Sequence, residues 1–117
     1  MYLSLVLPYN TIKILLKFDT RGGKNCIFWE QFYIVIQPKF NPRTRKIVGG
    51  ESLVRWKHPK RGTISPSIFV KVFEKNGFII HLDYYVWEET CRLLSKWKQE
   101  GKDVIPLSIN VSRAHFY

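Results

Sequence analysis

A glutamate and an arginine stand four residues apart in "GGESLVRW", residues 49–56. In an extended strand, side chains alternate between faces. Gly49, Glu51, Leu53 and Arg55 therefore share one face, and Val48, Gly50, Ser52, Val54 and Trp56 share the other. A carboxylate is an oxygen donor suited to a hard divalent cation. A guanidinium can fork onto a phosphate. A later run, "PLSINVS" at 106–112, repeats the split. Leu107, Ile109 and Val111 fall on one side, and Ser108, Asn110 and Ser112 on the other. The Asn110 amide adds a second oxygen donor. The polar faces could be the solvated side of a sheet, a structural ion pair, or part of a site for an anion and its metal. Two donors do not make a metal centre by themselves.

The elements that must position these residues are legible in the pattern. "FYIVIQPKFN" (32–41) is rich in β-branched and aromatic residues and reads as a strand. The charged turn "PRTRK" joins it to a second strand, "IVGGESLVRW", so the pair forms a hairpin. "KHPKRGTI" reads as a loop. Ser65-Pro66 supplies an N-cap and a first-turn proline. Ile68, Phe69, Val72 and Phe73 then recur at helical spacing as a buried stripe, and Asn76-Gly77 ends that helix. Asp83 is expected to cap a second helix, with Val86, Trp87, Thr90, Leu94 and Trp97 inward and Gly101 as its stop. "VIPLSINVS" is the third strand, and "RAHFY" follows it.

The order is strand, strand, helix, helix, strand. A helical crossover between strands implies parallel neighbours in an α/β sheet. Parallel sheets are covered on both faces, which argues against a solvated polar face. In barrels of this kind the sites sit at the C-terminal ends of the strands. A closed (β/α)₈ barrel takes about 250 residues, and this chain has 117. The expected fold class is an α/β, incomplete TIM-like (β/α) barrel, truncated after the third strand. Residues 1–27 hold broken apolar runs and read as a poorly defined N-terminal segment.

Bulk composition narrows the classes. Nineteen Lys and Arg against nine Asp and Glu give a formal charge of +10. That balance favours anionic partners and keeps a small basic nucleic-acid-binding protein as an alternative. Cys26 and Cys91 lack metal-site spacing and read as reduced thiols. His58 reads as a loop residue, and His81 and His115 have no partner at ligand spacing. No apolar run approaches the ~20 residues of a membrane span, so no membrane segment and a cytoplasmic location are expected.

Taken together, "FYIVIQPKFN", "IVGGESLVRWKHPKRGTISPSIFVKVFEKNGFI" and "PLSINVS" resemble the opening of an EAL domain, over about residues 28–117. EAL domains are bacterial phosphodiesterases that hydrolyse cyclic di-GMP to linear pGpG, on a TIM-like barrel whose first strand is antiparallel to the rest. The resemblance implies a partial EAL domain at 28–117, with Glu51 and Asn110 as ligands of Mg²⁺ or Mn²⁺. It implies Arg55 against the dinucleotide phosphate, Gln37 near the substrate, and Leu53 as the signature leucine. Ser52 replaces the signature alanine and faces away from Glu51. The family's further acidic ligands and its lysine, from later strands, have no counterpart before Tyr117. The expectation is therefore a chain inactive alone. A non-catalytic cyclic di-GMP-binding or regulatory module is the alternative, with nucleic acid not expected as a partner. An open sheet edge implies self-association.

Overall fold

The computed structural model of the chain describes residues 2–6 and 29–116. The expectations for the rest of the N-terminal segment lie outside the described residues. Among the described residues, five strands form one mixed sheet: β1 (Tyr2–Val6), β2 (Phe32–Asn41), β3 (Lys46–His58), β4 (Gly62–Ile64) and β5 (Leu107–Ser112). The order is β1-β5-β3-β2, with β4 added beside β3. Two helices, α1 (Pro66–Asn76) and α2 (Ile79–Gln99), connect β4 to β5. A short 3₁₀ turn, Arg113–Phe116, follows β5.

The hairpin and the crossover are as expected. β2 runs antiparallel to β3 from Phe32 opposite Trp56 to Asn41 opposite Lys46. The turn is closed by Arg45 N donating to Asn41 O at 2.8 Å. The Asn41 side chain accepts from Arg43 N at 2.9 Å. Arg45 takes the left-handed φ of 55° that the turn needs. β3 and β5 are parallel, with Gly50 opposite Leu107 and Glu51 opposite Ser108. Gly50 permits the close approach. A Cβ there would lie 2.7 Å from Ile36 Cγ2 and 3.1 Å from Leu107 Cδ2.

Both helices pack on one side of the sheet. Phe32, Phe69, Phe73, Ile79, Leu82, Tyr85 and Val86 form the larger core, with Val54 and Trp56 against it. Aromatic rings dominate it, and Tyr85 Oη anchors α2 to the sheet by donating to Phe32 O at 2.6 Å. Cys91, Leu94 and Leu107 form a second cluster, against which Ile36 and Trp97 pack.

Four expectations need correction. Ile68 and Val72 are exposed (62% and 52%) rather than part of a buried stripe. Phe69 and Phe73, with half-buried Val70, form the inward face instead. Val48 is 52% exposed. Phe40 pairs with Ile47 and Lys39 with Gly49, so Val48 sits in a bulge and leaves the packing face. Asp83 does not cap α2, which begins four residues earlier at Ile79. Phe78 holds that boundary, its ring 4.8 Å from Phe73, with its N–H on the Asn76 side chain at 2.9 Å. Part of "KHPKRGTI" is strand, since β4 folds back on Trp56–His58.

Other boundaries follow the sequence. Pro66 opens α1, with Ser65 capping through its backbone carbonyl rather than its hydroxyl. Gly77 closes α1 at φ 79°. Gly101, at φ 72°, follows α2.

Candidate functional site

The parity of β3 decides which side chains meet. Ser52 is 1% exposed. Its Oγ lies 2.8 Å from Thr90 Oγ1 on α2. Position 52 thus faces the helices, and Glu51, Leu53 and Arg55 face the opposite side, all half-buried. β2 extends that face: Gln37 lies opposite Glu51, Val35 opposite Leu53, and Tyr33 opposite Arg55. Gln37 is exposed. Ser108 joins the face beside Glu51. Asn110, half-buried, comes two residues further along β5, on the diagonal from Glu51 rather than directly across.

Glu51 and Arg55 do not form an ion pair. Arg55 Nη1 instead donates to Val54 O at 2.9 Å. Among the described residues, Glu51 has no hydrogen-bonding or ionic partner. A carboxylate left without a cationic partner on a half-enclosed face is available to a ligand.

Sequence reasoning missed two members of this face. Lys39 lies opposite Gly49, and its Nζ donates to Ser108 Oγ at 2.9 Å. Its side chain therefore crosses β3 at a position without a side chain, and brings a cation onto the glutamate's face. Tyr33 is 45% exposed and sits across from Arg55. Both share the parity of Gln37 on β2, which was the available signal.

The C-terminal part of β5 is pinned from α2. Trp87 Nε1 donates to Asn110 O at 3.0 Å. Asp83 Oδ2 accepts from Ser112 N at 2.8 Å and lies 3.0 Å from His115 Nε2. Burial of the Asp83 carboxyl pushes its pKa from the usual 3.8 up to about 6, against the lowering pull of the Ser112 N–H and His115. His115 thus has an acidic partner in space that no sequence spacing indicated. His58 is the last residue of β3, paired with Gly62, rather than the loop residue expected; its Nδ1 accepts from Lys60 N at 3.1 Å and Arg61 N at 3.2 Å in the turn that follows. Between β3, β5 and the helices lies a cavity of about 120 Å³, bordered by Leu53, Arg55, Asn110 and Asp83.

Glu51 and Asn110 fit a hard cation by donor type. In number they fall short: among the described residues no group of three or more His, Cys, Asp or Glu side chains could hold a metal ion.

The sequence matches the EAL domain family over residues 28–117. The chain belongs to the EAL domain family. It is 34% identical over 93 residues to the oxygen sensor protein DosP of Escherichia coli, covering 80% of this chain and 12% of that protein. It is 33% identical over 86 residues to the bifunctional diguanylate cyclase/cyclic di-GMP phosphodiesterase MucR of Pseudomonas aeruginosa, covering 74% of this chain and 13% of that protein. The solved structure of the PaMucR phosphodiesterase in complex with c-di-GMP aligns with a TM-score of 0.70 at 31% identity. That alignment covers 86% of this chain and 40% of the PaMucR chain. The EAL signature here is Glu51-Ser52-Leu53, and the Ser52–Thr90 contact shows that the substituted position packs on a helix.

Proposed function

We propose that residues 28–117 are the opening β/α portion of an EAL barrel, preceded by an N-terminal segment whose Tyr2–Val6 strand pairs with β5, and that their polar sheet face receives cyclic di-GMP without hydrolysing it unaided. One observation carries the reading. Gln37, Glu51, Leu53 and Arg55 share a face and a register, while Ser52 is turned into the helix layer. In this reading Arg55 presents its remaining guanidinium N–H groups to a phosphate, since one nitrogen is engaged by Val54 O. Gln37 and Leu53 flank the dinucleotide. Tyr33 offers a partly exposed ring across from Arg55, suited to stacking on a guanine base. Glu51 and Asn110 are the chain's contribution to a Mg²⁺ or Mn²⁺ site. When bound, such an ion supplies a water of lowered pKa. Holding it takes more donors than these two.

The setting follows from the same face. No described helix is long and apolar enough to cross a membrane, and a cytoplasmic location accords with a nucleotide ligand. β2 ends the sheet, and its outer edge is the route by which two copies would associate.

Calorimetric titration of cyclic di-GMP into the full chain tests the proposal. The expected result is measurable binding that Arg55→Ala weakens about tenfold or more, the loss of a charge-assisted pair costing roughly 1.5–3 kcal/mol. Absence of heat from folded protein, or equal affinity in the variant, overturns it.

A further inference from the structure

The end of the fold opposite Arg55 combines charge with exposed apolar surface. The β2–β3 hairpin tip carries Lys39, Arg43, Arg45 and Lys46, and no acidic residue lies between Gln31 and Gly50. The last turn of α2 and the loop into β5 reach this same end, because β5 starts beside Gly50. They add Lys96, Lys98 and Lys102 against Glu100 and Asp103. Glu100 is already engaged by Lys102 at 2.8 Å. Seven cations face two carboxylates here, a net charge equal to half of the chain's +10. The two parts form one surface: Gly50 N donates to Pro106 O at 3.0 Å, and Gly49 is flush against the same carbonyl.

Among these cations stand Phe40 (58% exposed), Ile47 (54%), Val48 (52%) and, on the adjoining loop, Val104 (39%). The bulge that displaces Val48 keeps it from packing on the sheet. The tip is fixed by its two hydrogen bonds to Asn41, so little ordering is needed before it meets a partner.

We propose that this end of the fold docks on an anionic lipid bilayer. Phe40, Ile47 and Val48 enter the headgroup layer, and the surrounding Lys and Arg meet the lipid phosphates and carboxylates. Charge complementarity calls for an anionic partner. The aliphatic side chains select a bilayer over a nucleic acid. A phosphate backbone would engage the cations, but it offers Ile47 and Val48 no apolar phase to enter. Lys39 alone of these cations reaches the glutamate's face, through Ser108; Phe40, Arg43, Lys46, Ile47 and Val48 lie beyond the Gln37–Glu51 pair at the hairpin tip, and the proposal stands independently of cyclic di-GMP binding.

Co-sedimentation of the full chain with vesicles tests it. Vesicles of phosphatidylcholine with about 30 mol% phosphatidylserine should bind, and neutral phosphatidylcholine vesicles should not. Binding should collapse in about 0.5 M salt. I47S/V48S should weaken it at least about tenfold, from lost apolar burial. K60Q/R61Q, in the basic loop at the other end of β3, should leave binding within about twofold, since surface charge attraction fades beyond a Debye length. Unchanged circular dichroism verifies that the variants fold. Should I47S/V48S fail to fold, R43Q/K46Q provides the comparison, with the same tenfold loss expected. Equal binding to neutral vesicles, absent binding to anionic ones, or insensitivity to the tip substitutions overturns the proposal. Tighter binding to a DNA duplex, unaffected by I47S/V48S, assigns the charge to nucleic acid instead. A dimer in sedimentation velocity that I47S/V48S dissolves assigns the tip to a second copy.

Discussion

The contact between Ser52 and Thr90 can be perturbed from both sides, and the two sides are not equivalent. Thr90 Oγ1 lies 2.8 Å from Ser52 Oγ and 2.7 Å from Val86 O. A hydroxyl has one proton and a carbonyl only accepts. Thr90 therefore donates to Val86, and Ser52 donates to Thr90. Both residues are fully buried, at 1% and 0% exposure. Ser52→Ala restores the signature alanine and removes one neutral hydrogen bond, while Thr90 keeps its carbonyl. The expected cost is about 1 kcal/mol. Thr90→Val preserves shape but strands the Ser52 hydroxyl without an acceptor, at about 1–3 kcal/mol. The double variant leaves neither hydroxyl and should cost no more than Ser52→Ala alone. Urea denaturation of the four proteins then yields a coupling of roughly 1–2 kcal/mol. Additive losses, or a Ser52→Ala cost exceeding that of Thr90→Val, would refute this assignment of donors. Ser52→Ala should also leave cyclic di-GMP affinity unchanged, because the side chain points away from Glu51. A change there would refute the parity on which the site rests.

Two further outcomes concern stability. The Asp83 carboxyl has a folded pKa of about 6 against an ordinary 3.8, chiefly through burial. A raised acid contributes stability that is complete below about 3.8 and is lost as pH rises through 6. Asp83→Asn keeps an acceptor for Ser112 N and stays neutral. Unfolding free energies of wild type should therefore fall relative to Asp83→Asn between pH 4 and pH 7, and a pH-independent difference would contradict the assignment. Gly50→Ala forces a Cβ to within 2.7 Å of the branched Ile36. It should cost about 1–3 kcal/mol by overpacking, read from thermal unfolding, and a neutral substitution would show that the sheet yields there.

The sequence carried the parts governed by short-range pattern. Alternation in "GGESLVRW" assigned Glu51 and Ser52 to opposite faces, and the Pro66, Gly77 and Gly101 signals marked helix ends. Patterns resolved by tertiary packing were not legible. Ile68 and Val72 have the right spacing for a stripe, but α1 turns Phe69, Val70 and Phe73 to the core and leaves those two exposed. Asp83 looked like a cap because its chemistry suits one. It is buried mid-helix because Ser112 N and His115, about thirty residues later in the chain, need an acceptor. Lys39 joins the glutamate's face only because Gly49, opposite it, leaves a path across β3 to Ser108. β4 forms through backbone pairing in a segment with no apolar alternation to announce it.

The proposed ligand face offers Glu51 and Asn110 as its two donors for a metal among the described residues. Incubation of the full chain with cyclic di-GMP and Mg²⁺ or Mn²⁺, with linear pGpG followed by chromatography, tests this most directly. No product above the protein-free control is expected with either ion. Accumulation of pGpG that Glu51→Gln abolishes would contradict it.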